Sequence, residues 1–231
     1  MTERPLDLTE NEVCAILDGK KTQVRLPVDP QPWLVPASDE ASPLAFMSID
    51  GTNELTEKDC PFGAVGDRLW VREPFRLLRE MLGGATASCA VSIQYRATMD
   101  REHFAYWKVI ASSADSSLPD GTSKYSGEIG EHRGFLVTSP VAWKPGRCMP
   151  RWASRITLEI LGVRLQHIQD TGIDDMFAEG VDKYETYDGG RVISVPQARG
   201  RFRAMWNDHY AESGLGWEAN PTVWAITFKC I

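Results

Sequence analysis

The sequence has no apolar run approaching the ~20 residues that a membrane-spanning helix needs, so a membrane protein of helical type is not expected. Its first residues, Met1 to Pro5, lack a basic stretch followed by an apolar one, the pattern of a secretory leader. Cysteine is sparse: Cys14, Cys60, Cys89, Cys148 and Cys230 are scattered, and no two lie within four residues of each other. A disulfide framework, a zinc knuckle and a redox pair are therefore not expected, and a reduced, cytoplasmic setting is. The four histidines, His103, His132, His167 and His209, have no metal-ligand spacing. No metal and no cofactor is expected, since no glycine-rich phosphate loop or dinucleotide fingerprint occurs either. No serine sits in a nucleophile-elbow context. Excess positive charge is also missing: the formal net charge is −7. Nonspecific duplex binders gain affinity by neutralising phosphates, so long duplex DNA is not an expected partner, although a local basic cleft remains compatible with the total.

What is present is a chain of 231 residues with an ordinary globular composition, 42% hydrophobic and 25% charged. The first element is a helix. Thr9 to Glu12 fits a capping box, Val13, Ile16 and Leu17 share one face, and Gly19 stands where a left-handed C-terminal cap belongs. The helix is predicted over about 10–18, with a strand through Thr22 to Leu26. Residues 27–58, rich in Pro, Asp, Ser and Glu, read as a long surface connection. Turns over Cys60 to Asp67 lead into a strand at Arg68 to Glu73. Strands are also predicted at Val91 to Ala97, Phe104 to Ile110, Ile156 to Ile168 (with a glycine bulge) and Val223 to Lys229. A short helix is expected after a cap at Thr171 and Asp174, ending at Gly180, and a longer one over about 196–212. Residues 111–147 read as an insertion in which Phe135 to Val137 alone looks ordered. The mixture of strands and helices lacks a regular βαβ alternation. It predicts an α+β fold built on a small mixed or antiparallel barrel with rim helices.

Two residues attract a chemical reading. Lys21 follows the first helix; there it can serve the free carbonyls and solvent, or it can be a cleft lysine acting as base or anion-stabilising donor. Glu179 stands at a helix C-terminus, where the helix dipole disfavours an anion; it is either a tolerated surface glutamate or the partner of a cation such as Lys21. Arg72 and Glu73 at a strand end form a surface pair or line a site. Arg151 and Trp152 offer a cation and a stacking plane, and base stacking is worth roughly 1–3 kcal/mol per base.

Taken together, Ala15 to Thr22 resembles the opening signature of the ASCH family, which has a PUA-like fold. Cys60 to Glu73 resembles its second block. Met149 to Ile156, Ala178-Glu179-Gly180 and Trp217 to Trp224 resemble the version encoded by phages and prophages. The resemblance covers about half of the chain and leaves 27–58 and 98–147 as insertions in a single domain, 1–231. It implies a PUA-like barrel whose mouth engages RNA or a nucleoside. Some members are amidohydrolases that deacetylate N4-acetylcytidine, and others have been assigned ribonuclease activity. The amidohydrolases' lysine falls on Lys21 and their glutamate on Glu179. Their threonine falls on Val24, which has no hydroxyl, and a histidine of many phage relatives falls on Cys148. Thr22 or water then becomes the candidate nucleophile.

The expected site is thus Lys21, Glu179 and Thr22 for catalysis, with Arg25, Arg72, Glu73, Arg151 and Trp152 for substrate binding. The expected partner is a nucleoside or single-stranded RNA, in a host cytoplasm if a phage encodes the chain. Two other readings stay open: a noncatalytic reader of RNA or a modified base, and a phage interaction module that uses residues 98–147.

Overall fold

The computed structural model describes residues 1–36, 44–48, 50–51, 53–82, 88–98, 108–113, 142–183 and 193–231. In chain order the elements are β1 (Glu3–Asp7), α1 (Glu10–Leu17), β2 (Gln23–Pro27), β3 (Trp33–Pro36), β4 (Leu44–Met47), β5 (Arg68–Arg72), β6 (Phe75–Leu82), β7 (Ser88–Tyr95), β8 (Lys108–Ser113), β9 (Thr157–His167), α2 (Ile173–Ala178), α3 (Val195–Tyr210) and β10 (Thr222–Cys230). The fold is α+β. Its main sheet has five strands in the order β1-β5-β9-β10-β2. β10 runs antiparallel to both β9 and β2. The Arg68 N–H donates to the Thr2 carbonyl and the Leu8 N–H to that of Arg72. That ladder advances in the same direction on β1 and β5, which makes the sheet mixed.

The sheet is open, and this corrects the expectation of a closed barrel. β1 and β2 are its two edges and do not pair with each other. β1 carries Pro5, which has no N–H to give a further strand, and proline is tolerated in sheets mainly at such edges. The same proline explains why β1 is not legible as a strand in the sequence.

Local chemistry accounts for the elements near the site. At α1 the Thr9 N–H donates to Glu12 Oε2 at 3.0 Å and the Glu12 N–H to Thr9 Oγ1 at 3.4 Å, the reciprocal pairing of a capping box. Beyond the end of α1, Gly19 takes φ +68°, and both Lys20 and Lys21 then donate their N–H groups back to the Ala15 carbonyl. The long strand β9 does carry an irregularity: Thr227 pairs with Gly162 but Phe228 with Ile160, so Leu161 is bulged out. α3 also begins at a capping box, Ser194 with Gln197.

Several expectations change. The stretch 27–58 contains the antiparallel ribbon β3–β4, whose four-residue strands are too short to show a period. Thr171 does not cap α2. Its hydroxyl donates back to the Ile168 carbonyl at 2.7 Å, closing a turn over Ile168–Asp170, and Gly172 takes the capping position. β6 reads Phe-Arg-Leu-Leu-Arg-Glu-Met-Leu, a composition that favours helix, yet it pairs along its length with β7, so tertiary pairing outweighs local propensity. β8 covers only the end of the strand expected at Phe104 to Ile110; Phe104 to Trp107 and the ordered triplet expected at Phe135 to Val137 lie outside the described residues.

The chain forms two compact units. The first comprises Met1–Arg4, Ala15–Leu69 and Thr157–Ile231; the second comprises Pro5–Cys14 and Trp70–Ile156. In the first, a core of Ile168, Met176, Val181, Ile193, Ala198, Phe202, Trp206, Trp217 and Val223 fixes α2 against α3. In the second, Phe75, Ile93, Tyr95, Met149 and Ala153 form the core, with Trp152 packed against it. No helix among the described residues is long and apolar enough to cross a membrane.

Candidate functional site

Alternation along a strand sends residues 21, 23 and 25 to one side of the chain and residues 22 and 24 to the other. Lys21, Gln23 and Arg25 are all buried, at 3%, 8% and 3% exposure. α2 supplies the opposing groups. Asp175 and Glu179 are four residues apart, so they project from one helix face, and that face meets the polar side of β2.

Glu179 is the hub. Lys21 Nζ donates to Glu179 Oε2 at 2.6 Å and to the Glu179 carbonyl at 3.1 Å. Arg25 Nη1 donates to the other carboxylate oxygen, Oε1, at 2.9 Å and to Gln23 Oε1 at 3.1 Å. Arg25 Nη2 lies 3.0 Å from Asp175 Oδ2, an ion pair outside good hydrogen-bond alignment. Asp175 also accepts from Gln23 Nε2 and Arg164 Nη2, both at 2.9 Å. Burial opposes ionisation of Asp175, but the hydrogen bonds from Gln23 and Arg164 and the charges of Arg25 and Arg164 outweigh it and hold the carboxyl below its usual range. The Phe202 ring centre lies 5.9 Å from the Arg25 guanidinium carbon. Arg25 Nε has no hydrogen-bond partner among the described residues.

The turn after α2 lets this arrangement form. Gly180 has φ +99°, and a Cβ there would sit 3.4 Å from Ala15 Cβ and 3.6 Å from Lys21 Cβ. The Thr22 N–H donates to the Ala178 carbonyl at 2.7 Å, which ties the start of β2 to the end of α2. Thr22 itself is exposed, on the side away from Lys21, and Val24 is buried.

Of the residues expected to bind substrate, only Arg25 belongs to this cluster. The others lie in the second unit. There Glu73, 1% exposed, accepts a two-pronged contact from Arg155, Nε to Oε1 at 2.8 Å and Nη2 to Oε2 at 2.9 Å. The Arg155 guanidinium carbon is 4.1 Å from the ring centre of Tyr95. Burial pushes the Tyr95 phenol up, Arg155 acts against that and Glu73 adds to it, and the hydroxyl donates to the Ala153 carbonyl at 2.8 Å. Arg72 is held by Asp7 through two contacts of 2.6 Å. Arg151 is exposed.

Gln23, Asp175 and Arg164 are members of the cluster that the sequence reading did not select. Two signals could have found the first two: the polar alternation Lys21-x-Gln23-x-Arg25 and the i, i+4 acid pair Asp175 and Glu179. Among the described residues no group of three or more His, Cys, Asp or Glu side chains is placed to hold a metal ion. Comparison with known proteins finds no matching family model, curated protein or solved structure.

Proposed function

We propose that the chain is an ASCH-like protein of PUA-like ancestry, of the phage type, that recognises a modified pyrimidine nucleoside or RNA at the Lys21–Glu179–Arg25 cluster and hydrolyses an N4-acetylcytidine-like amide. The carrying observation is the 2.6 Å contact between Lys21 and Glu179, residues 158 positions apart. The ancestry rests on the order of the sequence blocks, because the sheet is open; the site is accordingly assigned to the face of β2 under α2 rather than to a barrel mouth. With Val24 at the expected threonine position and Thr22 on the outer side, water is the nucleophile. It adds to the acetyl carbon as Glu179 takes its proton, Lys21 stabilises the oxyanion, and collapse breaks the C–N bond while that proton passes to N4. The products are acetate and cytidine. Both oxygens of Glu179 are engaged without substrate, so this chemistry requires Lys21 to swing from the carboxylate to the acyl oxygen.

Incubation with N4-acetylcytidine and chromatography of the products tests this reading. Cytidine should accumulate with the unmodified protein and not with Lys21→Ala; absence of turnover, or turnover untouched by Lys21→Ala, removes it. The missing hydroxyl at Val24 favours a second reading, a noncatalytic reader of the modified base. It would give binding of N4-acetylcytidine in calorimetry without product.

A further inference from the structure

We infer that the β3–β4 ribbon of the first unit is a docking surface for a positively charged protein partner. It uses no residue of the Lys21 cluster and none of the sequence blocks that resemble the ASCH family.

Among the described residues β3 pairs with β4 alone. β4 is covered on its other side. There the Leu55 N–H donates to the Phe46 carbonyl at 2.6 Å and the Ser48 N–H to the Asn53 carbonyl at 2.8 Å, and Met47 stands opposite Glu54. Phe46 thus turns its backbone groups towards 53–55, and Leu34, its partner in β3, turns its own to the outer edge. Pro36, the next residue of β3 with that orientation, has no N–H. A strand adding to this edge would find one donor where it needs a ladder. Recognition at the ribbon therefore falls to side chains.

Those side chains are apolar and exposed. Trp33, Leu34 and Val35 are 64%, 43% and 36% exposed, the one run of consecutive exposed large hydrophobic residues among the described residues. Single exposed apolar residues are ordinary, whereas a contiguous patch marks a contact site. Alternation puts Trp33 and Val35 on one face of the ribbon, with Met47 and Ala45 as their cross-strand neighbours. Glu54, opposite Met47, belongs to that same face. Leu34 belongs to the other face, where Phe46 meets the His167 ring edge-on with centres 5.5 Å apart, which ties the ribbon to the end of β9.

The surroundings are acidic. Residues 29–59 hold seven Asp or Glu and one cation, Lys58, so nearly all of the chain's formal −7 falls in this stretch. Asp29, Asp50, Glu54 and Glu57 are exposed. An apolar centre with an indole ring, bordered by polar groups, is the anatomy of a protein interface. Complementarity of charge then selects the occupant. Phosphate-bearing partners, RNA and anionic membranes among them, are repelled. A second copy that presents the same face about a two-fold axis is repelled as well. A protein segment that sets Lys or Arg beside aliphatic or aromatic residues matches both the patch and its border.

The test is selection from a random library of displayed 12-residue peptides on the immobilised full chain, with depletion on the Trp33→Ser/Val35→Asp variant, once circular dichroism shows that the variant folds as the parent does. Peptides retained by the parent alone should be enriched over the library in Lys and Arg and in apolar residues. The tightest of them, labelled for fluorescence anisotropy, should bind Trp33→Ala at least ~tenfold more weakly. Its affinity should also fall as NaCl is raised from about 50 to about 300 mM. Leu161→Ala, at another exposed apolar residue of the first unit, should change nothing. No peptide retained by the parent alone, retained peptides without excess positive charge, or binding untouched by Trp33→Ala would each overturn the proposal. So would self-association in analytical ultracentrifugation that Trp33→Ala abolishes, because the occupant would then be a second copy of the chain.

Discussion

Glu179 accepts from two buried cations at once, and this fixes how the cluster should respond to substitution. Glu179 is shared by Lys21 and Arg25, and Asp175 by Arg25 and Arg164, so removing Glu179 takes a carboxylate from two buried cations at once. Removing one partner of a buried pair strands the other charge at a cost of about 3–5 kcal/mol. Glu179→Met should therefore destabilise the protein by about that much, whereas Lys21→Met, which leaves Glu179 paired with Arg25, should cost at least ~1 kcal/mol less. Urea unfolding followed by circular dichroism measures both, and equal costs would show that Arg25 does not share the carboxylate in solution. The pairing of Lys21 with Glu179 was within reach of the sequence, because a glutamate against a helix dipole asks for a cation. Arg25 was selected as well, but for substrate binding and not as a partner of Glu179. Gln23 and Asp175 were not, since neither breaks a local rule: one is a polar residue in a strand, the other an acid in the first turn of a helix, where the dipole welcomes it. Their roles arise only when α2 docks on β2.

At the scale of elements, the strongest local signals translated directly. The capping box at Thr9 and the left-handed Gly19 are each set by neighbours within four residues, while the bulge expected at the glycine of β9 falls on the adjacent Leu161, opposite β10. Elements whose identity depends on distant partners were not legible: β6 looks helical by composition, and the ribbon β3–β4 is two short apolar runs in a polar stretch. Capping at Thr171 failed for a related reason, since its hydroxyl found a nearer acceptor in the Ile168 carbonyl. The two helix-terminating glycines allow a graded test. Gly19 and Gly180 both have positive φ, but a Cβ at Gly19 meets nothing within 4 Å, while one at Gly180 reaches Ala15 and Lys21. Gly19→Ala should thus show only the backbone penalty, about 1–2 kcal/mol. Gly180→Ala should exceed it, because φ +99° lies well outside the left-handed well at about +57° that an L-residue can occupy, whereas the +68° of Gly19 lies close to it. Thermal unfolding of the two variants side by side gives the order, and the reverse order would mean that the turn after α2 relaxes freely.

For the whole molecule, two kinds of electrostatics act in opposite directions as salt is added. A net charge of −7 makes the compact state repel itself, and mobile ions relieve that repulsion. Exposed pairs such as Lys20–Asp182, Arg203–Glu218 and Arg96–Glu10 lose their attraction under the same conditions, but pairs of this kind are worth only about 0–1 kcal/mol each at the outset. The buried contacts around Glu179 and Glu73 lie where salt screens them little. Relief of repulsion should therefore win. Raising NaCl from 20 to 300 mM at pH 7.5 should raise Tm by roughly 1–4 °C, which for a chain of this length corresponds to about 1 kcal/mol or less. Scanning calorimetry at the two salt concentrations measures it. A fall in Tm would mean that the surface pairs work as coupled networks, and that the acidic excess lies too far apart along the surface to repel.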